Sequence, residues 1–323
     1  MSRPFQSWRR AEVLFWLIPL IAPLVFSQYL VLGSQILISC LFALSLDLIL
    51  GYAGMVSLGH AAFFGAGAYS AGLLATHGWG EPLSGLVAGA LVGAALGFCV
   101  SFLVVRGTDL ARLMVTLGVG LLLYEAANKA AGITGGVDGL SGVTVWKLLG
   151  WREFDLEGRL AYGYCLVVLF VLFVVARRIV QSPFGLALIG IRENVRRMRA
   201  IGTPTRKRLV LAFTLSAGMA GVAGALLAET TQFVGLDSLQ FQRSAEVLIM
   251  LVVGGTGRLY GALVGATLFI IAQDRLSGLN PVYWQFWLGI LLIVIVLAGH
   301  GGVLGAWDRV LLFARSRMKT QAS

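Results

Sequence analysis

Long apolar stretches dominate this chain, and they limit its possible folds more than any other feature. Crossing the hydrocarbon core of a bilayer takes about 20 apolar residues, and only 12% of the 323 residues are charged, roughly half the share in a soluble domain. We therefore expect an all-α, polytopic integral membrane protein with about ten transmembrane or re-entrant helices. The predicted helices lie near residues 11–32, 34–50, 56–77, 83–105, 112–131, 161–180, 209–229, 241–255, 260–274 and 283–299.

Three clusters of basic residues predict the orientation. They lie before the first apolar stretch, between the sixth and seventh, and after the tenth. Cytoplasmic segments are enriched in Lys and Arg, so we place all three clusters in the cytoplasm. Six stretches separate the first two clusters and four separate the last two, and both counts are even, as a shared side requires. The predicted layout is a cytoplasmic N-terminus (1–10), helices 1–6 (11–176) with an external loop (132–160), a cytoplasmic loop (177–208), helices 7–10 (209–299) and a cytoplasmic tail (300–323).

Two of these stretches have a second interpretation. The first follows a basic N-terminus, as in a signal peptide, but it continues to Leu32 without a small-residue cleavage pattern, which favours an uncleaved span. Residues 241–255 are short for a full crossing and are followed by Gly257, Arg258 and Gly261. They form either a span or a re-entrant or broken helix.

Glycines recur along one face of two predicted helices. In a bilayer, small residues spaced four apart let a neighbouring backbone approach closely. We therefore expect each glycine stripe to pack tightly against another helix. The stripes are Gly85, Gly89, Gly93 and Gly97 in the fourth helix and Gly218, Gly221 and Gly224 in the seventh.

The sequence offers no constellation for an enzyme or a metal site. None of the four lysines follows a glycine, so the chain has no GxxxxGK[ST] loop for binding the phosphates of ATP. It also has no GxSxG or HExxH motif. Its three cysteines and three histidines are scattered singly, which predicts no metal site. We expect this chain to be no enzyme and to hold no cofactor.

Acidic residues within the predicted helices are few, and the candidates are Asp47, Glu125, Glu229 and Glu246. A carboxylate in a membrane is costly, so it is a candidate for a functional residue. Glu125 and Glu229 lie near helix ends, where a position at the level of the headgroups is expected. Asp47 and Glu246 each precede a glycine-rich break, at 51–54 and 254–257, where an unwound backbone could face a cavity. Each of these two either lines a transport pathway or hydrogen-bonds to a neighbouring helix.

The cytoplasmic loop at 177–208 carries most of the net charge. It contains nine basic residues and one acidic residue, which leaves eight of the ten net positive charges there. Ser182-Pro183 is typical of a helix start and Gly202 of a helix end, so we expect one helix over 183–201. Glu193 and Arg197 have the spacing of an i,i+4 ion pair. An apolar stripe is predicted along this helix at Leu188, Ile191, Val195, Met198 and Ile201.

Such a basic amphipathic helix has two physical interpretations. It either lies on anionic lipid, with each basic side chain contributing about 1 kcal/mol, or it docks a soluble partner with its exposed polar residues. The pattern alone favours neither.

Several short segments, taken together, resemble one known family. They are LGYAG at 50–54, SLGHAAFFG at 57–65, TGGVDGL at 134–140 and IREN at 191–194, followed by AIG at 200–202. In this order they are similar to the permease subunits of ABC importers for branched-chain amino acids, specifically the LivM-type branch. The likeness runs over about residues 45–300.

The resemblance implies a set of partners. It implies a bacterial inner-membrane subunit that pairs with a homologous second permease, sits on two subunits that bind ATP and Mg, and receives substrate from an external binding protein. Besides these, only membrane lipids are expected as partners, and nucleic acid is not. It also implies that residues around 184–202 form a coupling helix that enters a groove on the ATPase. The expected coupling residues are Phe184, Gly185, Arg192, Glu193, Asn194, Arg196, Arg197 and Gly202.

The glycine-rich segments are our candidates for the translocation pathway. The candidate residues are Asp47, Gly51, Gly54, Ser57, His60, Glu246, Gly254, Gly255 and Gly257. The chain departs from the family pattern at Asp47, where asparagine is usual, and at Arg196, Arg197 and Arg199, where acidic residues or alanine are commoner. The arginines suggest an ATPase partner with a more acidic groove.

Two other functions were weighed. A secondary transporter driven by an ion gradient needs cation-coordinating groups near the middle of the membrane, and Asp47 and Glu246 could serve. An enzyme acting on lipid-linked substrates needs a polar catalytic cluster at one bilayer face, which the sequence does not contain. The resemblance implies leucine, isoleucine and valine as substrates, while related systems carry other amino acids, amides or urea.

Overall fold

The computed structural model describes residues 10–25, 27–146 and 158–298, together with residues 302, 303 and 305. The predicted basic clusters at residues 3–9 and 309–319 lie outside these residues, as does the part of the external loop at 147–157. The helices are α1 (Arg10–Val25), α2 (Leu30–Asp47), α3 (Ala61–Thr76), α4 (Pro82–Val104), α5 (Asp109–Lys129), α6 (Ala131–Thr134), α7 (Arg159–Gln181), α8 (Pro183–Glu193), α9 (Val195–Ala200), α10 (Thr205–Thr231), α11 (Phe241–Gly254), α12 (Leu259–Leu279) and α13 (Trp284–Ala298).

The prediction of an all-α membrane protein is confirmed. Every regular element in the described residues is helical, apart from one isolated bridge between Leu140 and Val234. Within the described ranges, six helical segments are long and apolar enough to cross a bilayer. The count of about ten spans stays a prediction, because α1, α3, α11 and α13 have 14 to 16 residues, fewer than a full crossing needs. The six segments are Leu30–Tyr52, Pro82–Val104, Asp109–Lys129, Arg159–Gln181, Thr205–Thr231 and Leu259–Leu279.

Helix α10 is the centre of the bundle, and α2, α3 and α4 pack around it. The predicted glycine stripes make this packing possible. A Cβ atom on Gly89 would lie 2.8 Å from the carbonyl oxygen of Gly221, and one on Gly93 would lie 2.6 Å from that of Ala217. A Cβ on Gly67 of α3 would collide with the same carbonyl oxygen of Gly221. The expectation of a tightly packed neighbour is therefore confirmed.

Two helices start inside the bundle and not at its ends. Helix α2 continues as a π-helix over Leu48–Tyr52, and α3 begins only at Ala61. The sequence predicted a helix from residue 56, but residues 56–60 are not helical. The backbone N–H of Ala61 donates to Ser244 Oγ of α11 at 2.9 Å, which joins the starts of α3 and α11. Helix α11 is about 21 Å long at about 1.5 Å per residue, too short to cross a core of about 30 Å alone.

The prediction of one helix over 183–201 is wrong, because the backbone turns extended at Asn194 (φ −157°, ψ 99°). The Asn194 side chain accepts a hydrogen bond from the N–H of Arg197 at 2.9 Å and so caps α9. Asparagine favours a cap over a helix interior for this reason. Glu193 and Arg197 therefore lie in different helices, so their i,i+4 spacing does not bring the two side chains onto one helix face.

The predicted ends of this segment are confirmed. Ser182 Oγ accepts from the N–H of Gly185 at 3.4 Å, and Gly202 has a left-handed φ of 81°. The apolar stripe is shorter than predicted. Leu188 and Ile191 are buried, whereas Ile201 is 68% exposed.

Candidate functional site

A junction forms where the end of α2, the α11–α12 turn and the end of α8 meet. We define it by Asp47, Gly51, Gly54, Arg192 and Gly257. The Asp47 side chain is fully buried, and its Oδ1 accepts a hydrogen bond from the backbone N–H of Gly257 at 2.7 Å. This bond fastens the α11–α12 turn to α2 across 210 residues of sequence.

Arg192 joins the junction from the other side. It lies in the last turn of α8, and its Nη1 donates a hydrogen bond to the carbonyl oxygen of Gly51. Gly51 belongs to the π-helical end of α2, where backbone carbonyls have irregular partners. A side chain from the basic loop therefore holds the backbone of a predicted membrane helix.

Glycine is required at the junction by close contact and by backbone angle. A Cβ on Gly51 would collide with Asp47 Oδ1 and with the backbone nitrogen of Gly257. Gly54 (φ 71°) and Gly257 (φ 77°) have left-handed angles, which residues with a Cβ rarely adopt. A Cβ on Gly54 would also lie 2.7 Å from Arg192 Cγ. The junction is thus closed by backbone-to-backbone packing.

Helices α2, α11 and α12 form most of the lining of a partly open cavity of about 290 Å³, near the ends of these helices that lie away from the junction. Each helix supplies one face to it, with lining residues spaced three or four apart, as on an α-helix. The polar lining residues are Gln35 and Ser39 of α2, Arg243 and Glu246 of α11, and Gln273, Asp274 and Ser277 of α12. Ser39 precedes Asp47 by eight residues, which is about 12 Å along a helix, so the cavity and the junction lie at different depths.

The comparison with known proteins assigns this architecture to a family. The model of the family described as "Branched-chain amino acid transport system / permease component" matches residues 28–296, most of the chain. The chain belongs to this permease family. It is a transmembrane permease of an ABC importer, a multi-pass protein of the bacterial inner membrane and not itself an enzyme.

Individual relatives agree with the family match. The permease is 32% identical to the high-affinity branched-chain amino acid transport system permease protein LivM of Salmonella typhimurium and to that of Escherichia coli, over 84% of this chain and 69% of each relative. It is 22% identical to LivH of Escherichia coli, over 82% of this chain and 90% of the relative. No solved structure matches the permease.

The structure divides the predicted coupling residues of the permease into two groups. Arg192 contacts the junction, while Gly185 is buried and Phe184 half-buried where α8 begins. The others are exposed in α8, in α9 or next to these helices, and Arg192 is itself exposed although it reaches the junction. These other residues are Glu193, Asn194, Arg196, Arg197 and Gly202.

The predicted pathway residues also separate. Gly254 and Gly255 lie at the end of α11 beside the junction, and Gly255 has a φ of 107°. A Cβ on Gly254 would collide with the carbonyl oxygen of Gly261 in α12. Glu246 lies in the cavity.

Ser57 and His60 are fully buried. Both lie in the non-helical segment between the end of α2 and the start of α3. His60 Nε2 lies 2.9 Å from Ser45 Oγ, and its ring stacks on Phe42 with 5.5 Å between ring centroids. These contacts place His60 in the packing between the two helices.

The position of Glu229 at the level of the headgroups stays a prediction, while its side chain is packed inside the bundle near the end of α10. It is 5% exposed and accepts a hydrogen bond from the hydroxyl of Tyr164 at 2.9 Å. The close approach of α4 at Gly85 covers it. A carboxyl group in this position joins α10 to α7.

Sequence reasoning missed Arg243, Asp274 and Gln35. Their signal was present, since polar residues recur at helical spacing within otherwise apolar stretches, at 35 and 39, 243 and 246, and 273, 274 and 277. Among the residues that the structure describes, no group of three His, Cys, Asp or Glu side chains is placed to hold a metal ion.

Proposed function

We propose that this permease moves branched-chain amino acids into the cell and that the junction is its inner gate. The observation that carries the proposal is the hydrogen bond from Arg192 to the Gly51 carbonyl. It connects the basic segment directly to the interrupted membrane helix. The names of the LivM and LivH relatives support the substrate class.

The basic segment serves as the docking surface for the ATPase. Its exposed arginines, Arg196, Arg197 and Arg199, lie on α9 beyond the break at Asn194. An acidic groove on a partner would attract them. The break lets α9 bind that partner while α8 stays packed on the bundle, so that movement of α9 reaches Arg192 through only two residues.

Movement at Arg192 then opens the gate. Withdrawing the guanidinium from Gly51 removes one charged hydrogen bond, which contributes about 1.5–3 kcal/mol. The hydrogen bond from the Gly257 N–H to Asp47 then still ties the α11–α12 turn to α2. A hydrogen bond between Tyr52 and the backbone of Leu259 does the same. A gate held by a few hydrogen bonds of this size is stable at rest and opens under a modest pull.

The remaining assignments follow the family resemblance. The ATP and Mg sites belong to two partner ATP-binding subunits, and this chain holds no cofactor. A homologous second permease completes the membrane unit, and an external binding protein delivers substrate. The clusters of basic residues support a cytoplasmic position for both termini and for the α8–α9 segment.

The energy source tests this function. The complete complex is reconstituted in liposomes with ATP in the lumen and the binding protein outside, and uptake of labelled L-leucine is measured. We expect vanadate to abolish uptake and a protonophore to leave it unchanged. Uptake that collapses with the protonophore and ignores vanadate would support the ion-driven alternative through Asp47 and Glu246.

A further inference from the structure

The cavity between α2, α11 and α12 combines both signs of charge with an apolar wall. Its charged lining residues are Arg243, Glu246 and Asp274, one cation and two anions. Phe42, Phe64 and Ile270 are among the residues of its apolar wall. Charged side chains in a membrane protein are expensive and are kept where they bind something.

Within the described structure, the charged residues of the cavity form only long ion pairs with one another or with their neighbours. Arg243 lies 3.6 Å from Asp237 and 3.6 Å from Glu246, whereas a strong charged hydrogen bond measures about 2.7–2.9 Å. A guanidinium has five N–H donors, so several stay available. The Asp274 carboxylate forms no hydrogen bond or ion pair within the described part of the chain.

We propose that this cavity binds a zwitterionic aliphatic amino acid on its way through the permease. Arg243 binds the main-chain carboxylate, and Asp274 and Glu246 bind the main-chain ammonium group. The aliphatic side chain lies against the apolar wall. This inference rests on the proposed function and narrows its substrate, because urea or a simple amide offers no charges to these groups.

The size and position of the cavity fit this role. Its volume of about 290 Å³ is at the small end of ligand pockets, which suits a single amino acid. The cavity lies near the starts of α2 and α11, and the junction lies at their ends. A bound amino acid would therefore be separated from the cytoplasm by the closed inner gate.

The test matches each charged residue to one group of the ligand. Binding of labelled L-leucine is measured on the purified complete complex without the binding protein. Two competitors are titrated: 3-methylbutylamine, which lacks the carboxylate, and 4-methylpentanoate, which lacks the ammonium group. We expect Arg243→Gln to weaken leucine binding about tenfold or more and to leave the affinity for the amine unchanged. Asp274→Asn should weaken the binding of leucine and of 3-methylbutylamine and leave the binding of 4-methylpentanoate unchanged.

Arg275→Gln is the matched control, because Arg275 neighbours Asp274 but does not line this cavity. It should bind leucine as the wild type does. Absence of leucine binding to the wild-type complex, or equal loss of all three ligands in a variant, would overturn the assignment. Uptake in the liposome assay separates the two proposals. If vanadate-sensitive leucine uptake persists while Arg243→Gln and Asp274→Asn bind and transport leucine normally, the site is wrong and the importer function stands.

Discussion

At the scale of single residues, the junction depends on one carboxylate oxygen of Asp47 and on glycines that leave no Cβ between the packed backbones. Asp47 is buried, no cation among the described residues forms an ion pair with it, and one backbone N–H satisfies its Oδ1. We therefore expect an acceptor in this position to serve packing, with no need for the negative charge. The glycines around it allow three backbones to meet.

Two substitutions of Asp47 test separately whether the junction needs its hydrogen-bond acceptor or its negative charge. Asp47→Asn keeps an oxygen for the Gly257 N–H, so we expect wild-type thermal stability and uptake. Asp47→Leu leaves that N–H buried without a partner, which costs about 1–3 kcal/mol and should lower the melting temperature of the complex. If Asp47→Asn folds normally but transports nothing, the carboxylate itself is required, as in an ion-driven mechanism.

Gly51→Ala should open the junction, because the added Cβ collides with the Gly257 backbone. We expect a lower melting temperature and a fall in leucine transported per ATP hydrolysed. The control is Gly163→Ala in α7, where no atom lies within 4 Å of the new Cβ and alanine favours the helix by up to about 1 kcal/mol. Equal behaviour of the two variants would show that the junction tolerates a Cβ.

At the scale of elements, the sequence predicted most helices but not the contacts between them. The glycine stripe predicted a close neighbour, yet only the fold shows that α4 contacts α10. Likewise, Asp47 and the 254–257 break were both candidates from sequence, but their direct contact depends on how α2, α11 and α12 pack. The helix over 183–201 was predicted whole because its apolar spacing continues across Asn194, and spacing alone does not reveal a cap inside a pattern.

The α4–α10 contact can be tested with Gly221→Val. The new side chain would collide with the Gly89 carbonyl and force the helices apart. We expect a loss of assembled complex and a lower melting temperature, measured after extraction in mild detergent. Gly118→Val in α5, where a Cβ meets no atom within 4 Å, should be nearly neutral; similar damage from both would point to a general intolerance of valine.

The docking role of α9 can be tested by reversing its charge. With Arg196→Glu and Arg197→Glu combined, we expect either no assembly with the ATPase subunits or ATP hydrolysis uncoupled from transport, because an acidic groove would repel the segment. Lys129→Glu, at the predicted external end of α5, is the control. An assembled, fully coupled double variant would refute the acidic groove.

At the scale of the whole molecule, α2, α11 and α12 carry both the cavity and the gate. Sequence patterns were sufficient for the fold class, the family and the basic segment, since hydropathy and charge are local properties. They were insufficient for the cavity, because its charges come from three helices and become one site only after packing. We propose that the cavity lies on the external side of an inner gate and that the α8–α9 segment controls this gate from the cytoplasm.

The number of leucine molecules transported per ATP hydrolysed by the Arg192→Gln complex tests this account most directly. Glutamine is shorter and uncharged, so the link from α8 to the Gly51 carbonyl is lost while the exposed arginines of α9 remain for docking. We predict an assembled complex that hydrolyses ATP but transports about tenfold less leucine per ATP, with partial recovery in Arg192→Lys. Wild-type leucine transport per ATP in Arg192→Gln would contradict the claim that this residue connects the ATPase to the gate.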